Sequence, residues 1–539
     1  MSGPPLSTIA ALGERYVAEL FDFSPGDART EGDHSFDGRL GPIGPEATQQ
    51  RVRRLDETAA ELDIVVPRGV DERADVITLR HRIALERFQL VELESARRNP
   101  LSGLFRGADP QPYCTHDYAP VPERAEGLDR HLDQLPGWLD AALDELGDSV
   151  DEGPRGIAVG VARGLAGFFA HDLDTALPLP DHPQLRDRLH AHAGEAAQAC
   201  TRFATAVAAR DAHPSPALGE ERFLAMLHAQ EGVTETVATL RAIASAELSR
   251  LRAEFEDVAH RISPAGGVPE AIAQMEDDHP SASSLIEEAA GSLERVRQFW
   301  RERGVVTIPD APIRVTPSPP YMRFVSAAFD PAGSLAAPDV ESNYVVTPVD
   351  ESMSEKEADE WLRSFNRWQL ENIGVHEVYP GHFVHAVHAR RQRSLLRRVG
   401  FVSGFGEGWA HYTEQLAIEQ GLAEGRPLLH LAQLQDALLR ACRFAATLML
   451  HTEGVTVEDA TAFVVETTGL PEFPSRREAA RGMYDPMYLA YTYGKLAILD
   501  WRADLKSSPG FSLRGFHDTM LGSGLPPLAA VRELLFNPD

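Results

Sequence analysis

Apolar residues recur along most of the chain at helical spacing. Between Val70 and Arg98, Ile77, Leu79, Ile83, Leu85, Phe88 and Leu90 stand among charged residues, the pattern of a helix with one buried face. Similar patterns run through 127–147, 155–172, 182–210 and 233–261, the last carrying Leu240, Ile243, Leu248, Leu251 and Phe255. The pattern changes near residue 300. Val305–Pro309, Ile313–Val315 and Ser342–Thr347 read as short strands, with a Pro- and Gly-rich connector from Pro317 to Pro338. Helical spacing resumes over Ser354–Arg390 and continues to about 450. Gly454–Pro474 reads as a link with one short helix, and the last helices carry Tyr491 and Trp501. Residues 1–50 are rich in Gly, Pro and Asp, with one helical pattern over Ile9–Leu20, and read as an arm wrapped on the body. There is no internal repeat and no sustained heptad. These patterns predict a mainly α protein with a small sheet. The arm is 1–50, a helical scaffold 51–300, and a functional half 301–539 with its sheet in 301–350, the last two forming one continuous unit.

The densest chemistry lies in His376-Glu377-Val378-Tyr379-Pro380-Gly381-His382, followed by Gly404-Phe405-Gly406-Glu407-Gly408-Trp409-Ala410-His411-Tyr412. A hydrolytic zinc site uses three protein ligands, commonly two imidazoles and a carboxylate, and keeps one position open for water. A separate carboxylate must then accept the water proton. His376, His382 and Glu407 suit the ligand roles for one Zn(2+) ion, and Glu377 suits the base. Residues six apart on a regular helix are separated by about 600°, leaving the two histidines about 120° out of register. Pro380 removes a backbone donor and Gly381 admits dihedrals closed to other residues, so a kink or bulge there would bring His382 round. The plain alternative is a helix break beside two surface histidines, which the Glu407 segment weighs against. Around the ligands, His385 is a candidate supporting group or intruding ligand. His411 and Glu414, four and seven residues after Glu407, fall on its helical stripe, where Glu414 would orient a metal-binding imidazole.

These two segments resemble a large bacterial family, catalogued as a domain of unknown function, that carries H-E-x-x-P-G-H followed by E-G-W-A-x-Y. That family is similar to the gluzincin metallopeptidases, such as thermolysin and the angiotensin-converting enzyme. Glu407-Gly408-Trp409-Ala410 also resembles the N-E-G-F-A segment of zinc aminopeptidases, in which the glutamate binds metal. The resemblance runs from about residue 70 onward and is strongest over 370–415. It implies a large helical gluzincin-like body with a deep cleft, and a strand of the small sheet beside the metal on which extended substrate pairs; the alternative is a structural sheet that binds nothing. It also places Tyr491 where the family has a tyrosine three residues before a glycine, here Gly494, with its hydroxyl steadying an oxyanion. Tyr484, Tyr488, Tyr491 and Tyr493 equally include the spacings of an aromatic helix face. The sequence departs from the family at His385, where glutamine is usual, and at Pro486-Met487-Tyr488 in place of P-G-Q. Thr447–His451 stands in place of D-T-G-x-H; His451 is either an aid to the transition state or a packed histidine.

Composition narrows the partners. The 539 residues include 81 acidic and 52 basic side chains, for a net charge of −29. That excludes a nucleic-acid partner, which needs a concentrated basic face. Cys114, Cys200 and Cys442 are isolated, forming neither a C-x-x-C zinc site nor a disulfide framework, and point to the cytoplasm. No apolar stretch reads as a leader or a membrane span. The expectation is a zinc-dependent metallopeptidase that cleaves an amide bond of a peptide or small peptide-like substrate. The alternatives are a metalloenzyme of the same scaffold acting on a non-peptide or biosynthetic intermediate, and a catalytically silent binding protein. The oligomeric state is not legible in the sequence.

Overall fold

The structure is a computed structural model that describes residues 8–213, 217–323, 325–400 and 402–538. It is mainly helical, with a small sheet, as the periodicity predicts. Two large apolar clusters organise it. In the first, the helices Val121–Glu145, Glu152–His171 and Pro183–Ala208 pack together. Leu128, Leu132, Leu135 and Leu139 meet Ala158, Ala162 and Phe203 there, all of them buried; small alanines let the helix backbones approach closely.

The second cluster surrounds the two sequence segments singled out above. Trp300, Tyr344, Phe383, Phe405, Trp409 and Tyr412 are fully buried within it. Each such side chain contributes about 1.5–3 kcal/mol relative to exposure, so this cluster makes a rigid floor for the chemistry above it.

The sheet has strands Ile313–Pro317, Ala327–Asp330 and Ser342–Val346. The Ser342–Val346 strand is central, parallel to the first and antiparallel to Ala327–Asp330. Val305–Pro309, expected as a strand, is irregular: Val306 is buried in the second cluster, and the Thr307 amide bonds the Asp518 carboxylate. The strand Ala327–Asp330 lies inside the expected connector. Four residues ending at Pro331 are too few to show an alternation.

The expected helix over 354–390 is three helices, Glu355–Ser364, Arg367–Glu377 and His382–Ala389. Asn366 causes the first break, its side chain accepting from the Gln369 amide as an N-cap. The N-terminal segment carries more helix than the one expected: Thr8–Phe23, Pro25–Thr30 and Pro45–Leu62. The first of these buries Ile9, Leu12, Tyr16 and Val17 in a cluster with Leu396 and Val399. Among the described residues, no helix is long and apolar enough to cross a membrane.

Candidate metal centre

The helix Arg367–Glu377 ends where the sequence places its anomaly. Val378 leaves helical geometry at φ −125° and ψ −75°. The Tyr379 amide donates to Gly374 O and the Gly381 amide to Val375 O, so the regular ladder is interrupted. The Tyr379–Pro380 peptide is cis. A Cβ on Gly381 would lie 1.7 Å from His376 O, so only glycine fits this crossing. A new helix starts at His382. The remedy for the six-residue spacing is therefore a full break between two helices rather than a kink within one. Trp409 Nε1 donates to Pro380 O at 2.9 Å, tying the break to the helix Ser403–Glu419 that carries Glu407.

The break brings the three candidate ligands together. Glu407 Oε2 lies 3.4 Å from His376 Nε2 and 3.3 Å from His382 Nε2. One donor atom from each of the three residues lies within 4.8 Å of the others. Glu407 Oε2 is buried and has no hydrogen bond among the described residues. His376 Nδ1 stands 2.6 Å from Glu414 Oε1, which holds its proton on that side and turns Nε2 toward Glu407. Glu414 is itself fully buried, and it receives Arg440 Nη1 at 3.1 Å and faces His411 Nδ1 at 3.4 Å. Burial and Arg440 oppose a charge on His376, but Glu407 and Glu414 outweigh them and lift its pKa to about 9. Burial would raise the Glu407 carboxyl; the two imidazoles more than offset it and hold it well below the usual range. Two imidazole nitrogens around an unsatisfied buried carboxylate oxygen form a donor set that fits a divalent ion such as zinc.

The Glu407 helix is fixed from two sides. Its first-turn Gly404 amide donates to Glu231 Oε1 at 2.6 Å. Its face packs on the helix Ala490–Leu505, where a Cβ on Gly494 would stand 1.9 Å from Gly404 O. Glu377 reaches the sheet: its Oε2 accepts the Phe329 amide at 2.8 Å. Tyr491 stacks beside His376 with ring centroids 6.3 Å apart. Burial and Glu407 push its hydroxyl pKa up, so it stays protonated. All five residues, His376, Glu377, His382, Glu407 and Tyr491, line one cavity of about 710 Å³.

A family model described as bacterial protein of unknown function (DUF885) matches residues 25–535. The chain belongs to this DUF885 family. Two solved structures share the fold. One, from Shewanella oneidensis, is described as a putative lipoprotein of unknown function; it is 19% identical with a TM-score of 0.76, over 99% of this chain and 100% of that one. The other, described as the putative lipoprotein from Colwellia psychrerythraea, is 18% identical with a TM-score of 0.80, over 98% of each chain. No curated protein matches.

In this DUF885 chain the remaining candidates separate. His411 and Glu414 stand behind the ligand group, with Glu414 in contact with His376. His385 lines the cavity but turns its Nε2 to Gly524 O at 2.8 Å and sets its ring against Phe405. Burial pushes its pKa down to about 3, so it stays neutral. His451 is outside the cavity lining, held between Gly482 O and the Leu218 amide and stacked on Phe223, as a packed histidine. Sequence reasoning missed Arg440, Glu231 and the cavity residues Asp27, Glu31, Arg390 and Arg481. A signal existed for Arg440: with Asp436 it forms a charged i,i+4 pair on a helix whose following turns, Ala441–Leu450, are largely apolar, and a charge there needs a buried partner.

Proposed function

We propose that this protein is a zinc-dependent hydrolase of amide bonds in peptides or small peptide-like molecules, on a gluzincin-like body whose cleft is the 710 Å³ cavity. One observation carries the reading: His376, His382 and the unsatisfied Glu407 oxygen converge beside Glu377 in one cavity. His376, His382 and Glu407 would hold the ion, which when bound supplies Lewis acidity to water and to a carbonyl oxygen. Glu377 Oε2 is taken by the Phe329 amide, which leaves Oε1 to accept the water proton and pass it to the leaving nitrogen. The Tyr491 hydroxyl, protonated, donates to the developing oxyanion.

The strand Ala327–Asp330 is at the sheet edge. Its register, with the Thr347 amide bonded to Ser326 O, turns the N–H and C=O groups of Ala327 and Phe329 away from the central strand. The Phe329 amide is used by Glu377; the Ala327 groups and the Phe329 carbonyl would pair with an extended substrate.

The cavity volume, within the range of small-molecule pockets, also favours a second reading: a compact non-peptide or biosynthetic amide. Metal analysis of the purified protein together with a peptide-library digest tests both. Zinc with peptide cleavage supports the first, and zinc without cleavage favours the second. Absence of bound zinc after loading removes both and leaves a binding protein. The cytoplasmic location read from the cysteines belongs to the same proposal. The similar structures described as lipoproteins favour the cell envelope instead, and cell fractionation separates the two.

A further inference from the structure

The charged side chains lining the cavity are engaged, with one exception. Glu377 and Glu407 are accounted for above. Glu31 takes the Gly400 amide and the Ser334 hydroxyl. Burial raises the Asp27 pKa to about 6, against the pull of the nearby Ser24 and Arg106. Arg481 lies over the Tyr488 ring at 4.4 Å and 3.4 Å from Asp485. The Arg390 guanidinium has no hydrogen bond and no ion pair among the described residues, although it is half-buried in the same cavity. Burial alone lowers its pKa, and no nearby carboxylate counteracts the effect.

A cation withdrawn from water without a counter-charge is costly. A guanidinium offers two parallel N–H groups in the geometry that a carboxylate accepts. Arg390 follows directly on the helix His382–Ala389. Eight residues of helix rise about 12 Å, a length covered by at most about four extended residues. A molecule with its amide at the ligand group and a carboxylate within that reach touches both.

We infer that Arg390 is a docking site for a carboxylate of the substrate, so that the cavity selects anionic amides. The simplest of these is a short peptide with a free C-terminus. This rests on the hydrolytic reading only for which bond is broken; the binding of the anion stands by itself. The selection is local. A net charge of −29 repels anions at long range, so affinity must come from a group met inside the cavity.

Titration calorimetry of the zinc-loaded protein with three probes tests this: N-acetyl-dialanine, its C-terminal amide, and N-acetyl-alanyl-glutamate with the C-terminus amidated. The acid should bind at least about tenfold more tightly than the dialanine amide, the scale of one charge-assisted pair. Arg390→Ala should abolish the difference, and Arg390→Lys should restore part of it. The third probe identifies the source: tight binding of it assigns a side-chain carboxylate, and weak binding assigns the C-terminus. Hydrolysis of the same peptides is scored separately. An Arg390-dependent preference without hydrolysis keeps the docking site and removes the peptidase reading. If neither acidic probe binds more tightly than the dialanine amide, or if the preference survives in Arg390→Ala, the docking site is overturned whether or not peptides are cleaved. Circular dichroism of each variant, unchanged from wild type, shows that the fold persists.

Discussion

Glu407 Oε2, buried between two imidazoles without a hydrogen bond, sets the first expectations at the residue scale. Alanine at His376, His382 or Glu407 should each remove most of the zinc, since three protein ligands leave none to spare; metal analysis of the purified variants checks it. Full occupancy in Glu407→Ala would sink the ligand set. Glu377→Gln should keep zinc and fold while losing turnover by about 10²–10⁴-fold, because an amide accepts no proton from water at neutral pH. Steady-state kinetics on a verified substrate read this directly. Glu414→Gln should fall between the two. It keeps a contact with His376 Nδ1 but loses the charge, and zinc affinity should drop about 10–100-fold in a chelator competition. His376, Glu377, His382 and Glu407 were all legible in the sequence because their chemistry is concentrated in two short segments. Arg390 was not, since an arginine in a run of arginines carries no sign that it faces a cavity.

At the scale of elements, the Glu407 helix and the helix Ala490–Leu505 meet through glycines. A methyl group on Gly494 would collide with Gly404 O, and one on Gly408 with Gly494 Cα. Backbone cannot yield as a flexible side chain does. Gly494→Ala should therefore destabilise by about 1–3 kcal/mol or more and displace Glu407, so that the melting temperature and zinc content fall together. Gly160→Ala is the contrasting case. This exposed helix position has open space around the missing Cβ, and the change should stabilise by about 0.4–1 kcal/mol. Thermal melts of the two variants should move in opposite directions. The break at Pro380-Gly381 was readable because two residues with known backbone effects sit inside a motif that cannot work on a straight helix. The strand Ala327–Asp330 was not readable. Its pairing is set by distant partners, Ser342–Val346 and Glu377, which local pattern does not contain.

At the scale of the whole molecule, Glu231 joins three distant parts of the chain. Its helix, Glu220–Glu231, ends on the Gly404 amide, and its second oxygen takes the Leu528 amide at 3.2 Å. Burial raises its pKa from 4.5 to about 7, against the pull of those two hydrogen bonds. The folded state then holds this proton more tightly than the unfolded chain. Stability from it is complete below about pH 4.5 and is lost as pH rises through about 7. At about 1.4 kcal/mol per pKa unit the loss has a ceiling of about 3 kcal/mol. Glu231→Gln has no such proton, so its melting temperature should gain on wild type between about pH 5 and pH 8. A constant difference across that range would remove the carboxyl from the account. The helical class of the fold was readable from periodicity, but the meeting of residues 231, 404 and 528 was not, because a buried glutamate looks like a surface one until its neighbours are known.

The cavity lining begins at Leu20 and extends as far as Leu525. A growing polypeptide has the two histidines and Glu407 in place well before it has Arg481, Tyr491 and Leu525, the last pieces of that wall. The chamber is thus unfinished while the ribosome is still adding the last helices, and its lining is complete only once both far ends of the chain are present. A chain released before Arg481 therefore carries the proposed ligand group without its full wall.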